Sequence, residues 1–136
     1  MSTNELNRIL YAEDEPDIQM VAKLALESLG GFTLEICNNG QEALDKGPAF
    51  TPQLILMDVM MPGMDGPSAL KSMRAIESLA SVPVIFMTAK VQPQEVAELK
   101  ALGAIEVIAK PFDPMSLSQM IRDIWLDYQT RQSATG

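Results

Sequence analysis

Five short apolar runs, each followed by a stretch with helical periodicity, constrain the fold of this chain more than any other feature of its sequence. The runs occupy residues 9–12, 33–37, 54–57, 84–87 and 106–109. Residues 9–12 are entirely apolar, which is typical of a strand buried on both faces of a sheet. We therefore interpret the five runs as strands, of which the fifth is the least apolar.

The stretches between these runs predict five helices. They are predicted at residues 16–29, within 38–47, and at 67–79, 93–102 and 113–128. Strands that alternate with helices form a parallel sheet covered on both faces, and right-handed crossovers favour the doubly wound order 2-1-3-4-5. The predicted fold is α/β, a (βα)5 domain with a five-stranded parallel sheet, and a length of 136 residues fits one such domain.

The composition excludes several classes of function. A total of 10 Lys and Arg against 18 Asp and Glu gives a net charge of -8, which argues against nucleic acid and anionic membranes as partners, since both select basic patches. The sequence contains no histidine, so Ser-His-Asp triads, histidine metal sites and a phosphohistidine on this chain are excluded. The single cysteine, Cys37, precludes an internal disulfide and fits a cytoplasmic location. The sequence indicates no signal peptide or transmembrane segment.

Chemically reactive side chains are concentrated just beyond the predicted strands. Parallel strands all end at one edge of a sheet, and doubly wound folds bind ligands outside that edge, between strands 1 and 3. One cleft should therefore collect three carboxylates, a hydroxyl group and a lysine. The residues at these strand ends are Glu13, Asp14, Asp58, Thr88, Ala89, Lys110 and Pro111.

The chemistry of this set points to phosphoryl transfer. Three crowded carboxylates repel one another unless a counter-charge is present, and oxygen ligands without His or Cys favour Mg²⁺. An aspartate held against Mg²⁺ and Lys110 can attack phosphorus, since both cations neutralise charge on the transferring group. Thr88 can donate its hydroxyl to a phosphoryl oxygen, and Pro62 with Gly63 shapes the turn that aims Asp58 at the cleft. Asp58 is therefore predicted to become an acyl phosphate.

Four motifs give the chain a family resemblance. "ILYAEDEPD", "LILMDVMMPGMDG", "PVIFMTA" and "AKPF" stand in the order and spacing of the receiver domain of bacterial response regulators. These are the CheY-like, flavodoxin-like phosphoryl acceptors of two-component signalling, and the resemblance covers about residues 8–128. It implies one receiver domain over residues 1–136, with polar tails at both ends.

The resemblance also implies roles for individual residues. It implies that Asp58 is the phosphoacceptor, and that Glu13 and Asp14 are acidic metal-site residues, with Asp14 the direct Mg²⁺ ligand. The backbone carbonyl of Met60 would complete the protein's share of the metal shell. The resemblance further implies that Thr88 and Lys110 contact the phosphoryl group and that the loop after strand 4 carries Ala89 against it. It also implies a Lys110-Pro111 peptide bond of a kind that is often cis.

Three positions depart from the family pattern. Glu13 replaces the commoner aspartate, and Lys90, two residues past Thr88, is placed to alter the access of water to an acyl phosphate. Val107 stands where the family usually carries Tyr or Phe, whose ring turns inward as the threonine moves. Valine has no ring to turn, so less of the signal is expected to pass through strand 5.

Other classes of function make different demands on the sequence. A phosphohydrolase of the haloacid-dehalogenase kind needs a second aspartate two residues after the nucleophile, where Met60 stands. A flavin-binding electron carrier needs a hydroxyl- and glycine-rich phosphate loop after strand 1, where "EDEPD" would repel a phosphate. A receiver-like adaptor that acts without phosphorylation stays open because of Val107.

The expected function is that of a stand-alone response regulator receiver, not a turnover enzyme. A sensor histidine kinase or a histidine phosphotransfer protein is expected to donate a phosphoryl group to Asp58 with Mg²⁺. Helix 4, strand 5 and helix 5 are then expected to change a contact with a downstream protein target. We expect no output domain after residue 128, and we therefore expect the signal to pass by protein contact or onward through a phosphorelay.

Overall fold

A five-stranded parallel sheet organises the molecule, in the predicted order β2-β1-β3-β4-β5. The computed structural model describes residues 5–135, and side-chain surroundings for residues 5–132, so the outermost parts of the predicted tails lie outside the described residues. All five strand positions are confirmed. The strands are β1 (Arg8–Ala12), β2 (Thr33–Cys37), β3 (Leu54–Asp58), β4 (Val84–Thr88) and β5 (Glu106–Ala109).

Helices cover both faces of the sheet. They are α1 (Pro16–Lys23), α2 (Gly40–Phe50), α3 (Gly66–Met73), α4 (Pro93–Ala101) and α5 (Leu117–Thr135). Residues Leu24–Leu29 continue α1 as a π-helical segment, where the sequence predicted a uniform helix. None of the helices in the described part of the chain is long and apolar enough to span a membrane.

The second and third helices differ from prediction at their carboxyl ends. The second continues past Gly47, which packs so closely that an added Cβ would lie 3.0 Å from a methyl carbon of Leu79. The third stops at Met73, not at residue 79. Beyond it the Arg74 guanidinium group donates to the carbonyls of Leu79 and Val82, at 3.2 and 2.9 Å. These bonds satisfy carbonyls of a tight-turn segment and replace further α-helical turns.

The last helix also differs from prediction, at both of its ends. It begins at Leu117, because Asp113 caps a preceding turn by accepting a hydrogen bond from the Met115 amide at 3.0 Å. It continues to Thr135, well beyond the predicted end at residue 128. No glycine or proline interrupts this polar stretch before residue 136, and an ion pair between Arg131 and Asp127 joins successive turns at 3.2 Å.

Two apolar layers flank the sheet and fix its carboxyl edge in place. One layer joins side chains of β1, β3 and β4 to α1, the π-helical segment and α5, and includes Tyr11 and Trp125. The other joins the opposite faces of these strands to α2 and α3, and includes Ala69 and Phe86. Every residue of β3 and β4 is buried, as expected for central strands of a covered parallel sheet. By contrast, α4 contains no buried residue.

Candidate functional site

Four strands end at one edge of the sheet with chemically reactive side chains. β3 and β4 each extend one residue further than predicted, so that Asp58 and Thr88 are their last residues. Lys110 follows β5 directly. Glu13 and Asp14 follow β1, the first buried and the second half-buried. Asp14, Asp58, Thr88 and Lys110 line one cleft of about 340 Å³. The predicted convergence of these residues is confirmed.

Lys110 bridges the two buried carboxylates of the cluster. Its Nζ lies 3.1 Å from Glu13 Oε1 and 3.2 Å from Asp58 Oδ2. Burial and the charge of Asp58 raise the pKa of Glu13, although the Lys110 ammonium group opposes this shift. Burial disfavours the charged lysine, but its hydrogen bonds and the two carboxylates outweigh burial and raise the pKa of Lys110. Lys110 is therefore positively charged, but its single charge does not balance the two carboxylates that it contacts.

The three carboxylates fit a hard divalent cation. One oxygen each from Glu13, Asp14 and Asp58 lie within 4.8 Å of one another. All donors are oxygen atoms, the ligands that Mg²⁺ prefers. The two oxygens of Glu13 already accept hydrogen bonds, from Lys110 and from the Glu15 amide at 3.2 Å. No hydrogen bond to the Asp14 carboxylate is found among the described residues, so its oxygens face the cleft without a protein donor.

The loop after β3 is fixed by backbone contacts. The Val59 amide donates to the Met87 carbonyl at 3.1 Å, and the Gly66 amide donates to the Val59 carbonyl at 2.8 Å. An added Cβ at Gly66 would lie 2.6 Å from the Asp58 carbonyl oxygen, so only glycine allows α3 to begin this close to the acidic residue. Gly63 has a φ of 80°, which confirms the predicted glycine turn.

The loop after β4 holds the hydroxyl group at the cleft. Thr88 is buried, and its Oγ1 accepts a hydrogen bond from the Lys90 amide at 3.0 Å. The Lys110 amide donates to the Thr88 carbonyl at 2.9 Å, which ties this loop to the lysine. Ala89 and Lys90 are exposed and line the cleft, and Met60, 68% exposed, lines it from the β3 side.

β5 carries a short side chain at Val107, and the loop after it begins with a cis peptide bond. The Lys110-Pro111 peptide bond is cis, the isomer that the family resemblance implied. Val107 lies beside Phe86 of β4 and is half-buried. The position usually occupied by a ring therefore carries a short side chain on the α3 and α4 side of the sheet.

Sequence reasoning did not single out three residues that contribute to the site. The Glu15 amide donates to Glu13, and the Gln19 amide group donates to the Glu13 carbonyl. Tyr11 is fully buried in β1, and its hydroxyl group lacks a hydrogen-bond partner among the described residues. Of the three, only Tyr11 could have been noticed in the sequence, because its hydroxyl group is the one polar side-chain group within residues 9–12.

Comparisons with known proteins agree with this geometry. Residues 9–122 match the model of the response regulator receiver domain. The chain is 38% identical to the regulatory protein AtoC of Escherichia coli over 86% of this chain and 25% of that protein. It is 30% identical to the response regulator Rre1 of Synechocystis over 93% of this chain and 54% of that protein. The chain thus spans a quarter to about half of the length of such curated relatives.

The solved structures with this fold include the chemotaxis response regulator CheY4 of Vibrio cholerae. It superposes with a TM-score of 0.81 and 28% identity, over 88% of this chain and 99% of that chain. A receiver domain protein from Methanospirillum hungatei superposes with a TM-score of 0.77 and 27% identity, over 94% and 99% of the two chains. The sheet order, the acidic cluster and the family match lead to one conclusion: this chain belongs to the receiver domain family of two-component response regulators.

Proposed function

We propose that Asp58 accepts a phosphoryl group from a partner's phosphohistidine. The observation that carries this proposal is the position of the lysine, whose Nζ lies 3.2 Å from Asp58 Oδ2. A fixed cation beside the nucleophile offsets charge on a phosphoryl group as the group approaches. Among the carboxylates of the cluster, Asp58 lines the cleft and contacts Lys110, whereas Glu13 contacts Lys110 but is fully buried.

The proposed transfer is a single displacement at phosphorus, in which Asp58 replaces the donor's imidazole. An oxygen of the Asp58 carboxylate forms the new bond to phosphorus while the bond from phosphorus to the donor's imidazole nitrogen breaks. The electron pair of the broken bond stays with the imidazole, which takes up a proton and leaves neutral. Asp58 becomes an acyl phosphate, and hydrolysis by water later returns the carboxylate and inorganic phosphate.

Asp14, Asp58 and the Met60 carbonyl would hold Mg²⁺, with Glu13 acting through water. The lack of a protein donor to Asp14 supports its direct role, and the two hydrogen bonds to Glu13 support the indirect one. Bound there, Mg²⁺ supplies positive charge against the phosphoryl oxygens. The residues of the chain would hold it in place beside Asp58.

Thr88, Ala89 and Lys110 would hold the phosphoryl group once it is bound. The Thr88 oxygen accepts from the Lys90 amide, and no hydrogen bond donated by the Thr88 hydroxyl is found among the described residues, so its hydrogen can be donated to a phosphoryl oxygen. Lys110 would turn from the carboxylates to the phosphoryl oxygens, since a dianion attracts it more strongly. The loop from Thr88 onward would move with these contacts.

A largely apolar groove beside the cleft suits the docking of the phosphoryl donor. It has a volume of about 230 Å³ and lies between α1 and the segment after β5, with Ile18, Val21, Pro111 and Phe112 among its lining residues. Lys110 lines both this groove and the cleft. A helix of a histidine kinase or histidine phosphotransfer protein, seated in the groove, would present its phosphohistidine to Asp58.

We further propose that the domain signals without a catalytic activity of its own. The proposed role is that of a stand-alone receiver; the chain covers 99% of the solved chemotaxis protein, whereas it covers only 25% and 54% of two curated relatives. The absence of buried residues in α4 supports the face of α4, β5 and α5 as the surface that changes for a downstream protein.

Phosphorylation by acetyl phosphate with Mg²⁺ tests the assignment of Asp58. Mass spectrometry should show one added phosphoryl group that hydroxylamine removes, and Asp58→Asn should abolish it. Asp45→Asn, an exposed aspartate change in α2, is the matched control and should be labelled as the unmodified chain is. Equal labelling of Asp58→Asn would show that another residue is the acceptor.

A further inference from the structure

A buried tyrosine lies directly beneath the acidic cluster. Tyr11 has no exposed surface, and its Oη is a buried side-chain atom without a hydrogen-bond partner among the described residues. It precedes Glu13 by two positions, and the Glu13 amide continues the β1 ladder by donating to the Cys37 carbonyl at 3.0 Å, so both side chains point to the same face of the extended chain. Its neighbour on β3 is Leu56, two positions before Asp58. The phenol therefore occupies the layer just below the two carboxylates that Lys110 bridges.

The hydroxyl group of Tyr11 has no evident role in the unphosphorylated protein. Phenylalanine would fill the same apolar layer without burying a polar atom, and a buried polar atom left unpaired destabilises the fold. A phenol is protonated at neutral pH. The Tyr11 hydroxyl is therefore a hydrogen-bond donor beneath two acceptors.

Phosphorylation would create the need for such a donor. In the unphosphorylated protein Lys110 donates to Glu13 Oε1 at 3.1 Å, and Glu13 is completely buried. A phosphoryl group on Asp58 would draw Lys110 away, and Glu13 Oε1 would then lose its protein donor. Side chains two positions apart on one strand face are separated by about 7 Å at their Cβ atoms, a distance that a tyrosine side chain can span.

We propose that Tyr11 is a positioning residue whose hydroxyl group donates a hydrogen bond to the Glu13 carboxylate in the phosphorylated state. This inference rests on the proposed function. The new bond replaces the one that Lys110 gives up, so it holds Glu13 in place as the lysine moves to the phosphoryl group. The tyrosine thereby stabilises the phosphorylated state over the free one.

Carbon-13 labelling of tyrosine at Cζ tests this hydrogen bond directly. The sequence contains 2 tyrosines, and a Tyr128→Phe variant assigns their two resonances. Addition of beryllofluoride, a phosphoryl mimic, with Mg²⁺ should shift the Tyr11 resonance in the direction of a hydrogen-bonded phenol. The resonance of Tyr128, in α5 with its ring tilted against that of Trp125, should stay in place.

A Tyr11→Phe variant measures the contribution of the hydroxyl group. It should bind beryllofluoride about tenfold more weakly, equivalent to about 1.4 kcal/mol, while the thermal midpoint of the free protein stays unchanged or rises. Tyr128→Phe, the matched control, should bind as the unmodified chain does. An unchanged affinity in Tyr11→Phe, or an unmoved Tyr11 resonance, overturns the proposal. Failure of the unmodified chain to bind beryllofluoride would instead refute the proposed function, and this inference with it.

Discussion

Replacement of Lys110 by methionine should expose the electrostatic balance of the site. Methionine keeps most of the length and apolar stem of lysine but removes the charge that bridges Glu13 and Asp58 at 3.1 and 3.2 Å. The two carboxylates are then left buried and mutually repelling. We expect the folded protein to lose stability wherever both carboxylates are ionised.

The size of the loss follows from the burial of the three groups. Removal of one partner from a buried ion pair costs about 3–5 kcal/mol. The Lys110 side chain is 16% exposed, so water offsets part of the loss and we expect about 3 kcal/mol at pH 8. For a chain of 136 residues, this corresponds to a fall of about 10 °C in the thermal midpoint.

The loss should depend on pH through Glu13. Burial and Asp58 already raise the pKa of this residue above its ordinary value of 4.5, and removal of Lys110 raises the pKa further. The native variant then holds a proton that the unfolded chain has released, so its stability is retained at low pH and falls as pH rises through the folded-state pKa of Glu13. We expect the deficit of about 3 kcal/mol at pH 8 to shrink to about 1 kcal/mol at pH 5.

Urea unfolding of both proteins between pH 5 and pH 8 measures this dependence. Lys100→Met is the matched control, because Lys100 pairs with Glu106 at the same 3.2 Å but the two side chains are 46% and 38% exposed. Such a pair contributes about 0–1 kcal/mol, with little change over this pH range. The reasoning fails if Lys110→Met shows a small, pH-independent deficit like that of the control. Saturating Mg²⁺ should restore part of the lost stability, since it supplies charge to the same carboxylates.

Two further predictions concern the metal and the output. Asp14→Asn should weaken Mg²⁺ binding more than Glu13→Gln does, because Asp14 has no protein donor among the described residues whereas Glu13 has two. Calorimetry measures both affinities. An unchanged affinity in Asp14→Asn would contradict the ligand assignment. Beryllofluoride should increase hydrogen-exchange protection mainly within residues 86–100, since Val107 has no ring to move. An equally large change across residues 104–112, beyond Lys110 itself, would show that β5 changes conformation without an aromatic ring.

The sequence by itself determined the sheet and the residues that meet at its edge. Runs of apolar residues mark buried strands through local periodicity, and parallel strands must end on one side. Asp58, Thr88 and Lys110 could therefore be assigned to one cleft although they are far apart in the chain. The ends of α3 and α5 were less well determined, because Arg74 and the polar residues after 128 act through contacts that periodicity does not record.

The tertiary structure decided how the charges are shared. Lys110 donates to Glu13 across 97 positions of sequence, and only the packed sheet shows that it bridges this residue to Asp58. It also shows that, within residues 5–132, no donor reaches the Asp14 carboxylate in the cleft and the buried Tyr11 hydroxyl has no hydrogen-bond partner. Local sequence fixes which way a strand residue points. Which charged atoms come within hydrogen-bond distance depends on side-chain reach and on the spacing of strands that are distant in the chain.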